Sequence, residues 1–357
     1  MKIGLVRRGF SRTGGAEAYL RRFAEAAREA GHECVLFASD EWPEDAWPHE
    51  FCRTSGKSPR AFADSLEAVR PSERCDFLFS LERVWRCDAY RAGDGVHAAW
   101  LQRRAAFEPG WRNWLRRLSG KHRELLELER QLFSNKGARL VIANSHMVRA
   151  EIEQHFRFPS ERLHVIHNGV PPFSASPHAR AEVREQLGLS ADEYVILFAG
   201  SGWERKGLRF AIEAVSRAEN GLLLVAGRGR QRRLPASGRT RFLGPVADLP
   251  RYLAAADIFL LPTLYEPFSN ACLEAVAAGL PVITTRANGF AEIIKLGTEG
   301  EAVTDPRDIA SLADALDSWA SIERRETVRP RLQALGARYS IEANVRETLA
   351  LIEQSRA

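Results

Sequence analysis

Two glutamates, Glu266 and Glu274, stand with seven residues between them in the stretch IFLLPTLYEPFSNACLEAVAAGLPVITT, residues 258–285. The first falls in a polar loop; the second lies one turn into a helical pattern whose apolar positions Leu273, Val276 and Ala277 share a face. A helix N-terminus carries unpaired backbone N–H groups and about half a positive charge, which suits a phosphate. Carboxylates flanking it can accept hydrogen bonds from sugar hydroxyls, so the guest that fits is a nucleotide diphosphate carrying a sugar. Upstream, Gly200-Ser201-Gly202-Trp203-Glu204-Arg205-Lys206-Gly207 follows an apolar run and opens another helix. Arg205 can meet a diphosphate with a planar fork and Lys206 with a point charge. Spacing alone also admits a plainer reading, in which Glu274 is a solvated helix residue, Glu266 a turn residue and the cations solvated loop charges.

The elements that position these groups read as repeated strand-loop-helix units. Pro262 ends a strand at 258–261, Ser269 or Asn270 caps the next helix, and Gly279 closes it before a strand ending at Thr285. The chain opens the same way, with a strand at 2–6, a loop at 7–15 and a helix at about 16–30. Gly14 and Gly15 at the helix entrance allow a close approach to an anion, or simply make a tight turn. Further strands are expected at 34–38, 75–80, 89–92, 140–144, 163–167, 194–199, 222–226 and 241–243. Between them, helices are expected at 60–69, 122–133, 147–156, 209–217 and 249–255. The alternation argues for parallel α/β sheets with ligands at the carboxyl ends of the strands. One such end presents Gly93-Asp94-Gly95-Val96-His97, a tight turn that either offers a carboxylate to a ligand or is turn chemistry alone. Asn168-Gly169 followed by Pro171 and Pro172 reads as a turn into a stiff linker.

With 357 residues the chain is long enough for two domains with their own cores, and its 45% hydrophobic and 27% charged residues are those of a soluble globular protein. A net charge of +5 is too small to argue for nucleic acid. Cys34, Cys52, Cys75, Cys87 and Cys272 are scattered singly, against a zinc site or a disulfide framework, and a reducing cytoplasm is the economical setting. The start, MKIGLVRRGF, lacks the apolar core of a signal peptide, and no run approaches the roughly 20 apolar residues of a membrane span. The protein is expected to stay on the side of the membrane where it is made.

The most unusual composition is at 100–123, WLQRRAAFEPGWRNWLRRLSGKHR. Trp100, Trp111, Trp114 and Phe107 alternate with seven cations, among them Arg112, Arg116 and Arg117, against the single acid Glu108. Aromatic rings at headgroup level and cations on anionic lipid suit a membrane interface. An amphipathic helix pair packed on its own domain would also account for it. Single-stranded nucleic acid favours a similar mixture, but no nucleic-acid signature accompanies it, so the expected partner is an anionic membrane surface.

The segment EPFSNACLEAVAAGLPVITT is similar to the donor-site signature of glycosyltransferase family 4, the retaining GT-B enzymes, with both glutamates, the Leu-Glu-Ala core and the Gly-Leu-Pro-Val exit in place. Gly14-Gly15-Ala16-Glu17 resembles the family's opening loop, Arg205-Lys206-Gly207 its diphosphate pair, residues 167–171 its passage between domains and Asn288-Gly289-Phe290-Ala291-Glu292 its glycine-containing turn, so the likeness covers nearly the whole chain. Where many members carry a histidine facing the donor sugar, this sequence has Asp94 with His97 three residues on, a departure resembling the branch of the lipopolysaccharide core glucosyltransferases.

The resemblance implies an α/β GT-B fold, two Rossmann-like doubly wound parallel-sheet domains facing a cleft. Residues 1–170 would be the acceptor domain and 171–341 the donor domain, with a terminal helix at 342–355 returning to the first. It implies that Glu274 holds the ribose and Glu266 the donor sugar. Arg205 and Lys206, with Ser201, Ser269, Asn270 and the Gly14-Gly15 loop, would hold the diphosphate; Asp94 would act at the reacting centre and His97 touch a sugar. The implied reaction moves a hexose from a nucleotide sugar, a UDP-sugar in that branch, to a lipopolysaccharide-core or other lipid-linked glycan at the inner face of the cell membrane, as a peripheral protein. No Asp-x-Asp motif occurs, so neither a metal nor another cofactor is expected. Two other functions share parts of this pattern: nucleotide-sugar 2-epimerases, which lack the spaced glutamates, and a non-catalytic membrane-associated nucleotide-sugar sensor.

Overall fold

A computed structural model describes residues 1–10, 15–43, 46–110, 119–231 and 234–355. The chain divides into two compact units: the first runs from Met1 to His167 and takes in the chain from Ile341 onward, and the second is Asn168–Ser340.

In the first unit the strands are β1 (Lys2–Arg7), β2 (Glu33–Ser39), β3 (Glu50–Thr54), β4 (Phe77–Ser80), β5 (Cys87–Ala92), β6 (Ala138–Ala143) and β7 (Leu163–Val165). Its helices are α1 (Gly15–Glu29), α2 (Pro59–Ala68), α3 (His97–Ala105), α4 (Gly120–Leu132) and α5 (His146–Phe156). The strands pair in parallel in the order β3-β2-β1-β4-β5-β6-β7, so the order reverses between β1 and β4. Alternate side chains of β1 go to opposite faces: Ile3 and Leu5 join Leu20, Phe23 and Phe79, while Val6 joins Phe37, Phe62 and Tyr90. A sheet covered on both faces must be apolar on both, as β2 and β6 are.

The second unit contains α6 (Ala179–Gln186), β8 (Val195–Ala199), α7 (Leu208–Arg217), β9 (Leu222–Ala226), β10 (Thr240–Gly244), α8 (Leu249–Ala255), β11 (Ile258–Leu261), α9 (Asn270–Ala277), β12 (Val282–Thr285), β13 (Gly300–Val303), α10 (Ile309–Ser318) and α11 (Ile322–Arg338). Its parallel strand order, β10-β9-β8-β11-β12-β13, reverses between β8 and β11. A loop at the carboxyl end of each of those two strands therefore opens on the crevice where doubly wound sheets bind ligands. The last helix, α12 (Ile341–Gln354), belongs to the first unit and packs Ile341, Val345, Leu349 and Ile352 into its core.

Among the elements that the sequence pattern did not give are β3, β13 and α6. β3 and β13 are short edge strands, EFCRT and GEAV, that lack apolar alternation. Half of helix α6 is charged; it is held by Arg180 and Arg184, which both donate to the buried Asp257 at 2.8 Å. The expected strands at 75–80 and 163–167 are shorter, Phe77–Ser80 and Leu163–Val165.

Candidate active site

In the second unit the loop after β8 and the loop after β11 are clipped together. Arg205 Nη1 donates to Glu266 Oε2 at 2.8 Å and to the Tyr265 carbonyl at 2.9 Å, and Lys206 Nζ donates to the same Glu266 oxygen at 2.9 Å. The Arg205 carbonyl in turn accepts from Leu264 N and Thr263 Oγ1. Gly207 permits this approach: its φ is +75°, and a Cβ there would stand 1.9 Å from the Pro262 carbonyl oxygen.

Glu266 is also fixed through its backbone, with its N–H on the Ala287 carbonyl (2.9 Å) and its carbonyl accepting from Gly289 N (3.0 Å). Between those contacts lies Asn288, 1% exposed. Its Oδ1 accepts from Ser269 N and Phe290 N, both at 3.2 Å, and its Nδ2 donates to Thr284 Oγ1 at 3.0 Å. Ser269 is the N-cap of α9, its hydroxyl accepting from Cys272 N at 3.2 Å. Asn270 is exposed and its Oδ1 accepts from Asn168 Nδ2 at 2.8 Å. Glu274 is half-buried on the same helix; burial pushes its carboxyl up to about 7, against the opposing charge of Lys206. Ser201 is exposed and its hydroxyl accepts from Arg228 N at 3.3 Å.

Two cations and one carboxylate thus meet beside a helix N-terminus, at the point where the strand order reverses. A guanidinium and an ammonium offer five and three N–H donors, more than one carboxylate can take. The local charge of +1 from this trio adds to the positive end of α9, and the combination suits an anion. Spacing alone gave Asn288 no role; it entered only through the resemblance of Asn288-Gly289-Phe290-Ala291-Glu292 to the family's glycine-containing turn.

In the first unit, Asp94 sits in the turn after β5, its side chain 69% exposed and its Oδ2 3.9 Å from Arg83 Nη1. His97 opens α3; its Nε2 lies 3.0 Å from His122 Nδ1, with the rings stacked at a centroid separation of 5.1 Å. Burial first, then the charges of Arg83 and neighbouring basic groups, lower His97 to about 3, so its ring is neutral at working pH. Arg83 and the fully buried Glu129 stand behind this turn and escaped the sequence reading, because an arginine before β5 and a glutamate in a charged helix carry no local signal. Gly15 begins α1. Trp100 is half-buried in α3 with the Arg104 guanidinium 5.4 Å from its ring centroid. Gly14, Trp111, Arg112, Trp114, Arg116 and Arg117 lie outside the described residues.

Comparison with known proteins covers both halves. The family Glycosyltransferase Family 4 matches residues 13–172, and the family Glycosyl transferases group 1 matches residues 193–321. A probable transglycosylase of Burkholderia thailandensis, BTH_I0986, is 30% identical over 92% of this chain and 89% of its own. The lipopolysaccharide glucosyltransferase WaaG of Escherichia coli is 29% identical over 68% of this chain and 67% of its own. The uncharacterized glycosyltransferase MJ1607 of Methanocaldococcus jannaschii is 32% identical, but the match spans only half the length of each protein. Among solved structures, WaaG superposes with a TM-score of 0.81 at 22% identity, covering 99% of both chains. HepE of Anabaena, in complex with UDP and glucose, gives 0.74 at 18% identity, covering 99% of this chain and 100% of its own. Two parallel doubly wound sheets, family matches on each half and a relative aligned along nearly the whole sequence place this chain among the family 4 glycosyltransferases of GT-B fold.

Proposed function

We propose that this chain is a retaining hexosyltransferase that takes a hexose from a nucleotide-diphosphate sugar, a UDP-sugar, and delivers it to a lipopolysaccharide-core or other lipid-linked glycan at the inner face of the membrane. The observation that carries this reading is the convergence of Arg205 and Lys206 on Glu266 beside the N-terminus of α9. WaaG is a lipopolysaccharide glucosyltransferase and HepE has been crystallised with UDP and glucose, which supports the choice of donor and acceptor classes.

In this mechanism the acceptor hydroxyl attacks the anomeric carbon on the face from which the diphosphate departs. The bond from that carbon to the phosphate oxygen breaks with its electron pair going to the diphosphate, and the departing oxygen takes the acceptor's proton. Arg205, Lys206 and the N–H groups of α9 stabilise the developing charge, preorganised and held in place before the donor arrives. That is the role a cation fills elsewhere; no step here calls on a metal, and chelation should leave turnover unchanged. Glu274 accepts from the ribose hydroxyls, Glu266 from the donor sugar, Ser201, Ser269 and Asn270 line the phosphate path, and Asp94 acts at the reacting centre with His97 as a neutral sugar contact. The basic aromatic segment at 100–123 holds the protein on anionic lipid; among the described residues no helix is long and apolar enough to cross a membrane.

The test is a donor screen by calorimetry followed by product analysis with a truncated lipopolysaccharide acceptor. Transfer predicts UDP release that depends on acceptor and a product of unchanged anomeric configuration. Release of a 2-epimer without acceptor, or binding with no turnover under any acceptor, would replace this reading with the epimerase or the sensor.

A further inference from the structure

Two side chains from distant parts of the first unit hold the Gly93-Asp94-Gly95 turn, and a third holds the start of the helix that follows it. Asn144, at the end of β6 and 1% exposed, donates from Nδ2 to the Gly93 carbonyl at 3.1 Å. Arg83 donates from Nη2 to the Gly95 carbonyl at 2.7 Å and brings Nη1 to 3.9 Å from Asp94 Oδ2. Its third arm, Nε, donates to Glu129 Oε1 at 3.1 Å. Glu129 has no exposed surface, and its carboxylate also accepts from His97 N at 2.6 Å and Ala98 N at 3.1 Å.

The position of Glu129 has a consequence for α3. The N-cap of that helix is Val96, which has no side-chain oxygen to offer, so its first N–H groups are satisfied by a carboxylate from α4. A buried carboxylate is costly unless paired and hydrogen-bonded, and this one is both. Stability alone does not explain the arrangement, since an apolar pair of the same volume is often as stable as a buried ion pair. Arg83 is directional: Nε is locked by Glu129, Nη2 holds the Gly95 carbonyl, and Nη1 lies 3.9 Å from the exposed carboxylate of Asp94. The turn is thereby held at both glycines and at the helix that follows it.

The geometry points to Arg83 and Glu129 as a positioning pair that fixes the Asp94 carboxylate for reaction, with Asn144 as a second anchor of the same turn. This rests on the reading of Asp94 given under the proposed function. Neither residue of the pair need touch substrate; they act through the turn.

Arg83→Lys separates positioning from stability. The lysine keeps a positive charge opposite Glu129 but cannot reach Glu129, the Gly95 carbonyl and Asp94 together. The expected result is a kcat lower by about 10- to 100-fold, the scale of a displacement of about 1 Å at a reacting group. Nucleotide-sugar binding measured by calorimetry should be unchanged, because Arg205, Lys206 and Glu266 lie in the other unit. The double variant Arg83→Lys with Asp94→Asn should turn over no slower than Asp94→Asn alone, since a positioning residue has nothing left to position. Asn144→Ala, which leaves the buried pair intact, should lower kcat in the same non-additive way and serves if the lysine variant fails to fold. Wild-type kcat in Arg83→Lys, or losses that multiply in the double variants, would overturn the assignment. Wild-type turnover in Asp94→Asn would remove both the role of Asp94 and the positioning pair, while the donor reading would still be judged separately by calorimetry.

Discussion

At the scale of single residues, Lys206 and Arg205 share one oxygen of Glu266, so their charge is preorganised before any ligand binds. Lys206→Ala should lower kcat by about 10²- to 10³-fold at saturating donor, the usual cost of removing one donor aimed at developing charge. Near-normal turnover in a steady-state assay would remove lysine from the diphosphate site. Glu274 makes a pH-dependent statement. Its carboxyl is raised by burial to about 7, so the folded protein keeps that proton where the unfolded chain has lost it. Stability from this group is full below the ordinary carboxyl range, declines as pH rises towards 7 and stays low beyond. Glu274→Gln should therefore melt with wild type at pH 5 and above it at pH 8. Ionised Glu274 can accept from two ribose hydroxyls, so nucleotide-sugar affinity should rise from pH 6 to pH 8 in wild type and stay flat in the glutamine variant; calorimetry at both values decides it.

At the scale of elements, α9 and its preceding loop are organised by a side chain outside both. Asn288 bonds the N–H groups of Ser269 and Phe290 and the hydroxyl of Thr284 from a position without solvent. Asn288→Ala strands those groups, and each buried unsatisfied group costs about 1–3 kcal/mol. The expected outcome is a clear drop in the urea midpoint together with a loss of kcat, because Glu266 is bonded to the residues on either side of Asn288. Ser269→Ala removes only the cap and should cost about 1 kcal/mol. If the two variants unfold alike, Asn288 is an ordinary turn residue.

At the scale of the whole molecule, the first unit is not continuous in sequence: the chain leaves it at His167 and returns at Ile341. Helix α12 adds Ile341, Val345, Leu349 and Ile352 to the core built by Tyr19, Leu20 and Phe23, and Glu342 pairs with Arg22 at 2.6 Å. Burying four such side chains is worth about 6–12 kcal/mol as an upper figure, comparable with the whole stability of a domain. Truncation at residue 340 should leave the first unit unfolded, and Ile352→Ala should cost about 2–5 kcal/mol in denaturant titration. The proposed membrane docking is also tested at this scale. Sedimentation with vesicles should require anionic lipid, weaken with salt as charges more than about 8 Å apart are screened, and fall when Arg112, Arg116 and Arg117 are neutralised together. Equal binding to neutral and anionic vesicles would make the segment an ordinary packed helix pair.

The strand-loop-helix order of both sheets was legible in the sequence because period-2 and period-3.6 patterns, proline stops and glycine ends are local signals: β9, α8 and β11 have the bounds the pattern gives. Edge strands β3 and β13 and the charged helix α6 were not, since each is stabilised by neighbours distant in the chain rather than by its own apolar pattern. The same division runs through the site. Residue types and spacing pointed to Glu266, Glu274, Arg205 and Lys206 as chemistry-bearing groups. Only the tertiary structure decided that both cations meet one oxygen of Glu266, that Asn288 holds its loop, and that Arg83 and Glu129 stand behind Asp94. Those contacts join loops, and in one case a helix, brought together by strand order, and a sequence period records which face of an element is buried but not which element lies against it.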